Sequence, residues 1–180
     1  MADQSAEIAQ GLRRRDPDLL DRLIEQYQHR LLRYLLHLTG RRDLAEDLFQ
    51  ETWVRVLERG RLYDGRRDFT AWLFTIARNL FIDQRRRRQP QTEEPTELDA
   101  TAAGQPSALD LAIEREQSRH ILAGMDRLPA EYREALSLRF QEGMSLEEIA
   151  GVIGAPLGTV KSRIYRGLSS LEPWLKGGAL

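Results

Sequence analysis

Between Ser145 and Leu171 the chain reads SLEEIAGVIGAPLGTVKSRIYRGLSSL, and few packing schemes accommodate such a run. Ser145 can cap a helix, with Glu148, three residues on, reaching back to the cap's own amide. Ile149, Ala150 and Ile153 give that helix an inward face. Gly154 permits a sharp turn, and Pro156 can open a second helix, where its missing N–H costs nothing. Val160, Ile164, Leu168 and Leu171 then recur at helical spacing and must face a core. Ala150, Gly154 and Val160 work as a set: small at the crossing, flexible at the turn, apolar at the lock. This is the spacing of a helix-turn-helix, whose second helix enters the major groove of DNA.

The outer residues of that second helix suit the task. Lys161, Ser162, Tyr165 and Arg166 fall on one flank, with Thr159 at its start. Lys and Arg can donate to guanine edges or phosphates, Ser can bond either, and Tyr offers an apolar edge with a hydroxyl. A good base contact from Arg166 would contribute roughly 1–3 kcal/mol of discrimination. Arg163 points elsewhere, toward a phosphate or a neighbouring carboxylate. The alternative is a basic, solvated helix closing an ordinary bundle, but cap, turn glycine and core spacing all agree on the first reading.

A net charge of −1 looks wrong for a nucleic-acid binder until it is divided along the chain. Residues 60–90 hold eight Arg against three Asp, residues 156–176 four cations against one acid, and residues 91–148 thirteen acids against five Arg. Two basic patches therefore flank an acidic middle. The absence of cysteine excludes disulfides, thiol catalysis and a cysteine-bound zinc site. His29, His37 and His120 are too scattered to suggest a metal site, and no cofactor is expected. No nucleophile–base pairing or glycine-rich phosphate loop appears, so an enzyme is not expected. No apolar run approaches membrane-spanning length, so membrane insertion is not expected, and the opening MADQSAEIAQ has no secretory pattern, an expectation of a cytoplasmic protein.

Helical periodicity dominates and sustained alternation is missing, which predicts an all-α protein. One helix should begin at Asp16-Pro17, with Asp16 as cap, and stop at Gly40; a short one can precede it within residues 1–15. Asp43 can cap the next, which ends near Gly60, and a third spans FTAWLFTIARNLFIDQRRRR to about Arg88. Residues 89–108 carry three Pro, one Gly and four acids with no basic residue, the composition of a flexible linker. Helical periodicity resumes at Leu109 and runs to Arg127. Pro129 opens another helix reaching Glu142, and Gly143 ends it. Two small helical domains, 1–88 and 109–176, are thus expected on either side of the linker.

On the third helix Phe69, Trp72, Leu73, Ile76 and Leu80 can form a buried stripe, leaving Arg78, Asn79, Asp83 and Arg85 to Arg88 on the surface. Four consecutive arginines point several ways round a helix, and phosphate is their natural partner. Phe74 and Phe81 read as core. Trp72 reads equally as core or as a platform for an unstacked base, a contact that contributes about 1–3 kcal/mol. The preceding helix presents Glu46, Asp47, Gln50 and Glu51 opposite Leu44, Leu48 and Leu57. Such an acidic face would repel phosphate and more naturally meets another protein, a purely solvated face being the other option.

Together, AEDLFQETWVRVL at 45–57, FTAWLFTIARNLFIDQRRR at 69–87 and SLEEIAGVIGAPLGTVKSRIYRGL at 145–168 resemble the sigma factors of bacterial RNA polymerase. The nearest group is the extracytoplasmic-function (ECF) type, which keeps only conserved regions 2 and 4, and the resemblance covers nearly the whole chain. It implies that Glu46, Asp47, Gln50 and Glu51 dock on the coiled-coil clamp of core polymerase, with the flap a further polymerase contact. It implies that the loop from Leu62 to Phe69, with Trp72, Arg78, Asn79, Asp83, Arg85 and Arg86, captures the minus-10 element as melted strand with a flipped base. Lys161, Ser162, Tyr165, Arg166, Thr159 and Arg163 would read the minus-35 duplex. The linker would thread the polymerase cleft, and an anti-sigma partner is implied. A stand-alone helix-turn-helix regulator is the competing reading.

Overall fold

Helix boundaries follow the caps written into the sequence. The computed structural model describes residues 2–88 and 124–176, and among them there is no strand. Helix α1 spans Ala2–Arg14 and α2 Pro17–Thr39. The Asp16 carboxylate accepts the N–H groups of Asp18 (3.0 Å) and Leu19 (3.3 Å), satisfying donors the first turn leaves orphaned. Gly40 ends α2 at φ 63°, a left-handed conformation, and donates its N–H to the Leu36 carbonyl.

Helix α3 covers Arg42–Arg59, a 3-10 turn follows at Gly60–Leu62, and α4 runs Phe69–Arg88. Two expectations for α3 are corrected. Asp43 lies inside the helix and pairs with Arg41 instead of capping, because Arg41 already occupies the cap position. Leu57 is 48% exposed, because Ala45, Leu48, Thr52, Trp53 and Val56 set the phase of the buried face. Before α4, the Asp68 carboxylate accepts the Thr70 N–H at 2.8 Å, and Tyr63 donates its hydroxyl to the Arg67 carbonyl at 2.7 Å. The loop is thus held in a fixed shape.

The second half contains α5 (Ala130–Leu136), continued by one π-type turn at Ser137–Gln141, then α6 (Leu146–Ile153) and α7 (Leu157–Lys176). Gly143, at φ 69°, stops the first of these where expected. Of the expected linker and of the periodicity from Leu109, only a helical turn at 124–126 lies within the described residues. Leu168 is 38% exposed instead of facing the core. Gly167 takes the inward place: a Cβ there would sit 2.8 Å from a Leu136 methyl, so any larger residue at this crossing of α5 and α7 must push the Leu136 side chain aside.

The two halves pack on each other. Ile149, Val152 and Ile153 of α6 and Leu138 after α5 join the same apolar cluster as Leu31, Leu35, Leu73 and Phe74. Around it lie buried polar contacts. Glu134 accepts the Tyr34 hydroxyl at 2.9 Å and Arg78 Nε at 2.7 Å. Glu142, its side chain 1% exposed, accepts Arg30 Nε at 2.7 Å with Arg33 at 3.6 Å. Burial, reinforced by the Glu134 charge, pushes the Tyr34 phenol well above its usual pKa.

His37 belongs to this seam. Its Nδ1 is buried without a hydrogen-bond partner among the described residues, and Asp126 and Arg133 face it from the second half, Arg33 from its own helix. Burial first, then Arg133 and Arg33, hold its pKa below 6.5 against the pull of Asp126. A group with a depressed pKa in the packed state supports packing fully above 6.5 and withdraws that support as pH falls through the lowered value. Amide exchange at the α2–α5 seam should therefore accelerate below about pH 6.5, and a His37→Gln chain should lose that component; equal acceleration in both chains would refute it. At the tight crossing, Gly167→Val should cost roughly 1–3 kcal/mol by overpacking, read as a thermal midpoint lower by several degrees. An unchanged midpoint would show that α5 and α7 can part without penalty.

Candidate nucleic-acid interface

A capping box fixes the first helix of the turn. Ser145 Oγ accepts the Glu148 N–H at 3.2 Å, and the Glu148 carboxylate accepts the Ser145 N–H at 2.7 Å. Gly154, at φ 68°, donates back to the Ala150 carbonyl, and α7 leaves the turn one residue after Pro156. Val160 is buried and Ile164 half-buried, which turns the opposite flank outward. Lys161, Ser162, Tyr165 and Arg166 are all exposed there, Tyr165 at 74%. Thr159 is half-buried at the helix start. Arg163 bends back to the Glu131 carboxylate at 2.8 Å, the carboxylate alternative of the two read from the sequence.

The residues assigned to the minus-10 strand do not form one surface. Phe69 is 1% exposed, its ring edge-on to Tyr27 and Tyr63, both with centroids 5.5 Å away. It cannot meet a base where it stands, and serves as the floor on which Trp72 rests. Trp72 is half-buried, 5.0 Å from Tyr63 by ring centroids, and lines a cleft of about 450 Å³ with Arg66 and Arg67 on one wall and Glu147 and Glu148 of α6 on the other. Arg78 faces α5, where Glu134 holds it. Arg85 and Arg86 line the same side, beside Arg163 and Glu131. Asn79 and Asp83 are exposed on the far side of α4, in a groove of about 390 Å³ shared with Asp47 and Glu51 of α3.

On α3, Glu46, Asp47 and Gln50 are exposed and Glu51 is half-buried. Glu46 pairs with Arg42 at 2.7 Å and Glu51 with Arg55 at 3.0 Å, so these two are partly neutralised within the helix. The uncommitted part of the face includes two residues the sequence reading misplaced or passed over. Leu57 and Val54, the latter 45% exposed, continue the stripe of Asp47 and Gln50 at spacings of three and four. An apolar end on an acidic helix is the composition of a protein contact. The signal was present in the period of the buried residues, once Trp53 and Val56 are taken as the inner face.

Among the described residues no group of three or more His, Asp or Glu could hold a metal ion, and no helix is long and apolar enough to cross a membrane.

These arrangements can be set beside known proteins. The model of "Sigma-70 region 2" matches residues 23–91, and that of "Sigma-70, region 4" matches residues 118–171. The chain is 38% identical over 157 residues to the ECF RNA polymerase sigma factor SigE of Mycolicibacterium smegmatis, covering 86% of this chain and 61% of the relative. It is 34% identical over 176 residues to the ECF RNA polymerase sigma factor BldN of Streptomyces coelicolor, covering 96% of this chain and 66% of the relative. The chain thus spans under two thirds of the length of these two relatives. A solved structure of the sigma factor RpoE in complex with the anti-sigma factor NepR from Bartonella quintana superposes with a TM-score of 0.65 at 28% identity, covering 87% of this chain and 96% of that one. Two region models in order, covering more than half of the sequence, place this chain in the sigma-70 family of RNA polymerase sigma factors, in its extracytoplasmic-function branch.

Proposed function

We propose that this chain is a promoter-specificity subunit: it joins core RNA polymerase, directs it to promoters bearing minus-35 and minus-10 elements, and stabilises the melted strand. The observation that carries the reading is the exposed flank of α7, four hydrogen-bonding side chains wide, on a turn fixed by a full capping box. Lys161, Ser162, Tyr165 and Arg166 read the minus-35 duplex, while Thr159 sits at the helix start near the backbone. Arg163 serves α7 by anchoring it to Glu131.

The minus-10 role falls to the loop 62–68 and to Trp72, Arg78, Arg85 and Arg86, with Phe69 supporting Trp72 from beneath. An unpaired base stacks on an aromatic face while guanidinium groups hold its phosphates, and such capture stabilises the open strand without hydrolysis. Asn79 and Asp83 open toward α3, which favours a role beside the polymerase contact. The stripe Asp47, Gln50, Val54 and Leu57 docks on the polymerase clamp, with Glu46 and Glu51 at its margin, and the second half meets the flap. Synthesis itself is the polymerase's chemistry, so this chain carries no catalytic residue, and it works in the cytoplasm where that enzyme does. The working division is 1–88 for region 2, 89–108 for the linker and 109–176 for region 4. An anti-sigma factor is a natural partner of this chain; the RpoE relative was solved in complex with one.

Run-off transcription with core polymerase over a library of promoters tests the whole reading. Promoter-dependent transcripts that require this chain are expected; DNA binding without any association with polymerase would favour a stand-alone regulator. Arg166→Ala should weaken minus-35-dependent initiation roughly five- to 150-fold, the equivalent of about 1–3 kcal/mol. Equal output on a promoter that needs that element would contradict the assignment. Asp47→Lys combined with Leu57→Lys should leave the melting temperature nearly unchanged, since both side chains are exposed, yet abolish co-purification with core polymerase. Retained co-purification would place the docking surface elsewhere.

A further inference from the structure

Helix α1 lies outside the stretch that matches region 2, which begins at residue 23, yet it packs on the loop to which the minus-10 role falls. Ile8, Ala9 and Leu12 join the main apolar core and seat the helix. On the same face Ser5 is only 7% exposed, a polar side chain buried where packing alone would favour an apolar one. Its hydroxyl donates to the Tyr63 phenol oxygen, and Tyr63 donates its own O–H to the Arg67 carbonyl at 2.7 Å. The backbones meet as well. Gly65 stands at φ 75°, and a Cβ on it would sit 2.9 Å from the Ser5 carbonyl oxygen, so both its dihedral and the approach of α1 require glycine.

The ends of this loop are fixed by other means: Gly60 sits against Leu12, and the Asp68 carboxylate takes the Thr70 N–H. Between them Arg66 and Arg67 stand in solvent, with Tyr63, 2% exposed, as their root. The Tyr63 ring also lies 5.0 Å from that of Trp72, so one hydroxyl relay ties α1 to the loop's arginines and to the aromatic platform. We propose that α1 is part of the strand-capturing site and that Ser5 is a positioning residue for it, fixing through Tyr63 and Gly65 the course of the loop and thereby the unpaired base it accepts. This rests on the assignment of the loop to minus-10 capture. A pocket tells bases apart when its groups are held to within about 0.5 Å, and the relay grips the loop backbone at Arg67. Ser5 is buried beneath the loop, so it acts through Tyr63 and not on the base. Without its hydroxyl the loop wanders, and the order that capture needs must be supplied at binding.

The test uses the full chain with core polymerase on a promoter library whose minus-10 element is randomised and whose minus-35 element is constant. Ser5→Ala removes the hydroxyl at a helical position that alanine suits, so α1 keeps its helix. Base preference at the most selective minus-10 position should fall about three- to tenfold, the range one hydrogen bond spans, while co-purification with polymerase is unchanged. Tyr63→Phe cuts the same relay and should flatten the same position, and the double variant should do no more than Tyr63→Phe alone. A uniform loss of output across the library, additive effects, or an unaltered preference would each reduce Ser5 to ordinary packing and overturn the proposal. Should Ser5→Ala lose helical circular dichroism, Ser5→Thr, which keeps the hydroxyl, is compared with Tyr63→Phe. Only the second should flatten the preference, and equal behaviour would count against the relay. If the unaltered chain transcribes with a minus-10 preference that Ser5→Ala shares, the positioning role fails and the function stands; if it never transcribes, the function fails and this role with it.

Discussion

Two buried carboxylates hold this molecule in the shape described. Glu134 and Glu142 reach from the C-terminal half into a row of donors on α2 and α4, where Tyr34, Arg78 and Arg30 receive them. Taking a carboxylate out of water costs several kcal/mol, and only close, well-satisfied partners offset it. Here each acid has two partners, so the seam is stable while assembled and unforgiving when one partner leaves. The seam is mixed: the apolar cluster shared by both halves packs beside these charges, and the charge pairs fix its register by setting which acid meets which donor.

That register decides which functional surfaces are open. The apolar face of α6 is shared between its own turn and α4, so the helix-turn-helix sits with its first helix against the N-terminal half and its second helix outward. Basic and aromatic groups of the loop and α4 then face acids of α6, while the stripe on α3 remains accessible. In this arrangement the α3 stripe and the α7 flank are exposed, as are Arg66, Arg67 and Arg86, while Arg78 is held by Glu134 and Trp72 is half-buried. His37 adds a pH-sensitive element to the same seam, since its neutral form is what the surrounding arginines and the burial favour.

The local rules were legible in the sequence. Asp16-Pro17 and Gly40 bound α2, Ser145 and Glu148 form their box, and Gly143 and Gly154 take left-handed backbone, because each of these depends on residues within a turn of one another. The misjudged residues share a different cause. Leu57 and Leu168 are apolar at plausible helical positions, yet Trp53 and Val56 in one helix, and Gly167 in the other, set a slightly rotated inner face. Phe69 fits the buried stripe that its spacing predicts, and only the family resemblance places it at the minus-10 strand; two tyrosines from other elements enclose its ring. The seam was not legible at all. Its partners lie between 56 and 112 residues apart, and a single sequence carries no signal of which acid meets which arginine.

The two halves are packed on each other in the free chain, and the role proposed for it in transcription calls for them to separate on the polymerase. The chain has no native cysteine, so a pair introduced at the exposed positions Glu58 and Ser169 can carry a donor and an acceptor dye. Energy transfer between them should be constant in the free protein and drop on addition of core polymerase, before any DNA is supplied. Unchanged transfer in a polymerase complex that initiates transcription would contradict the account.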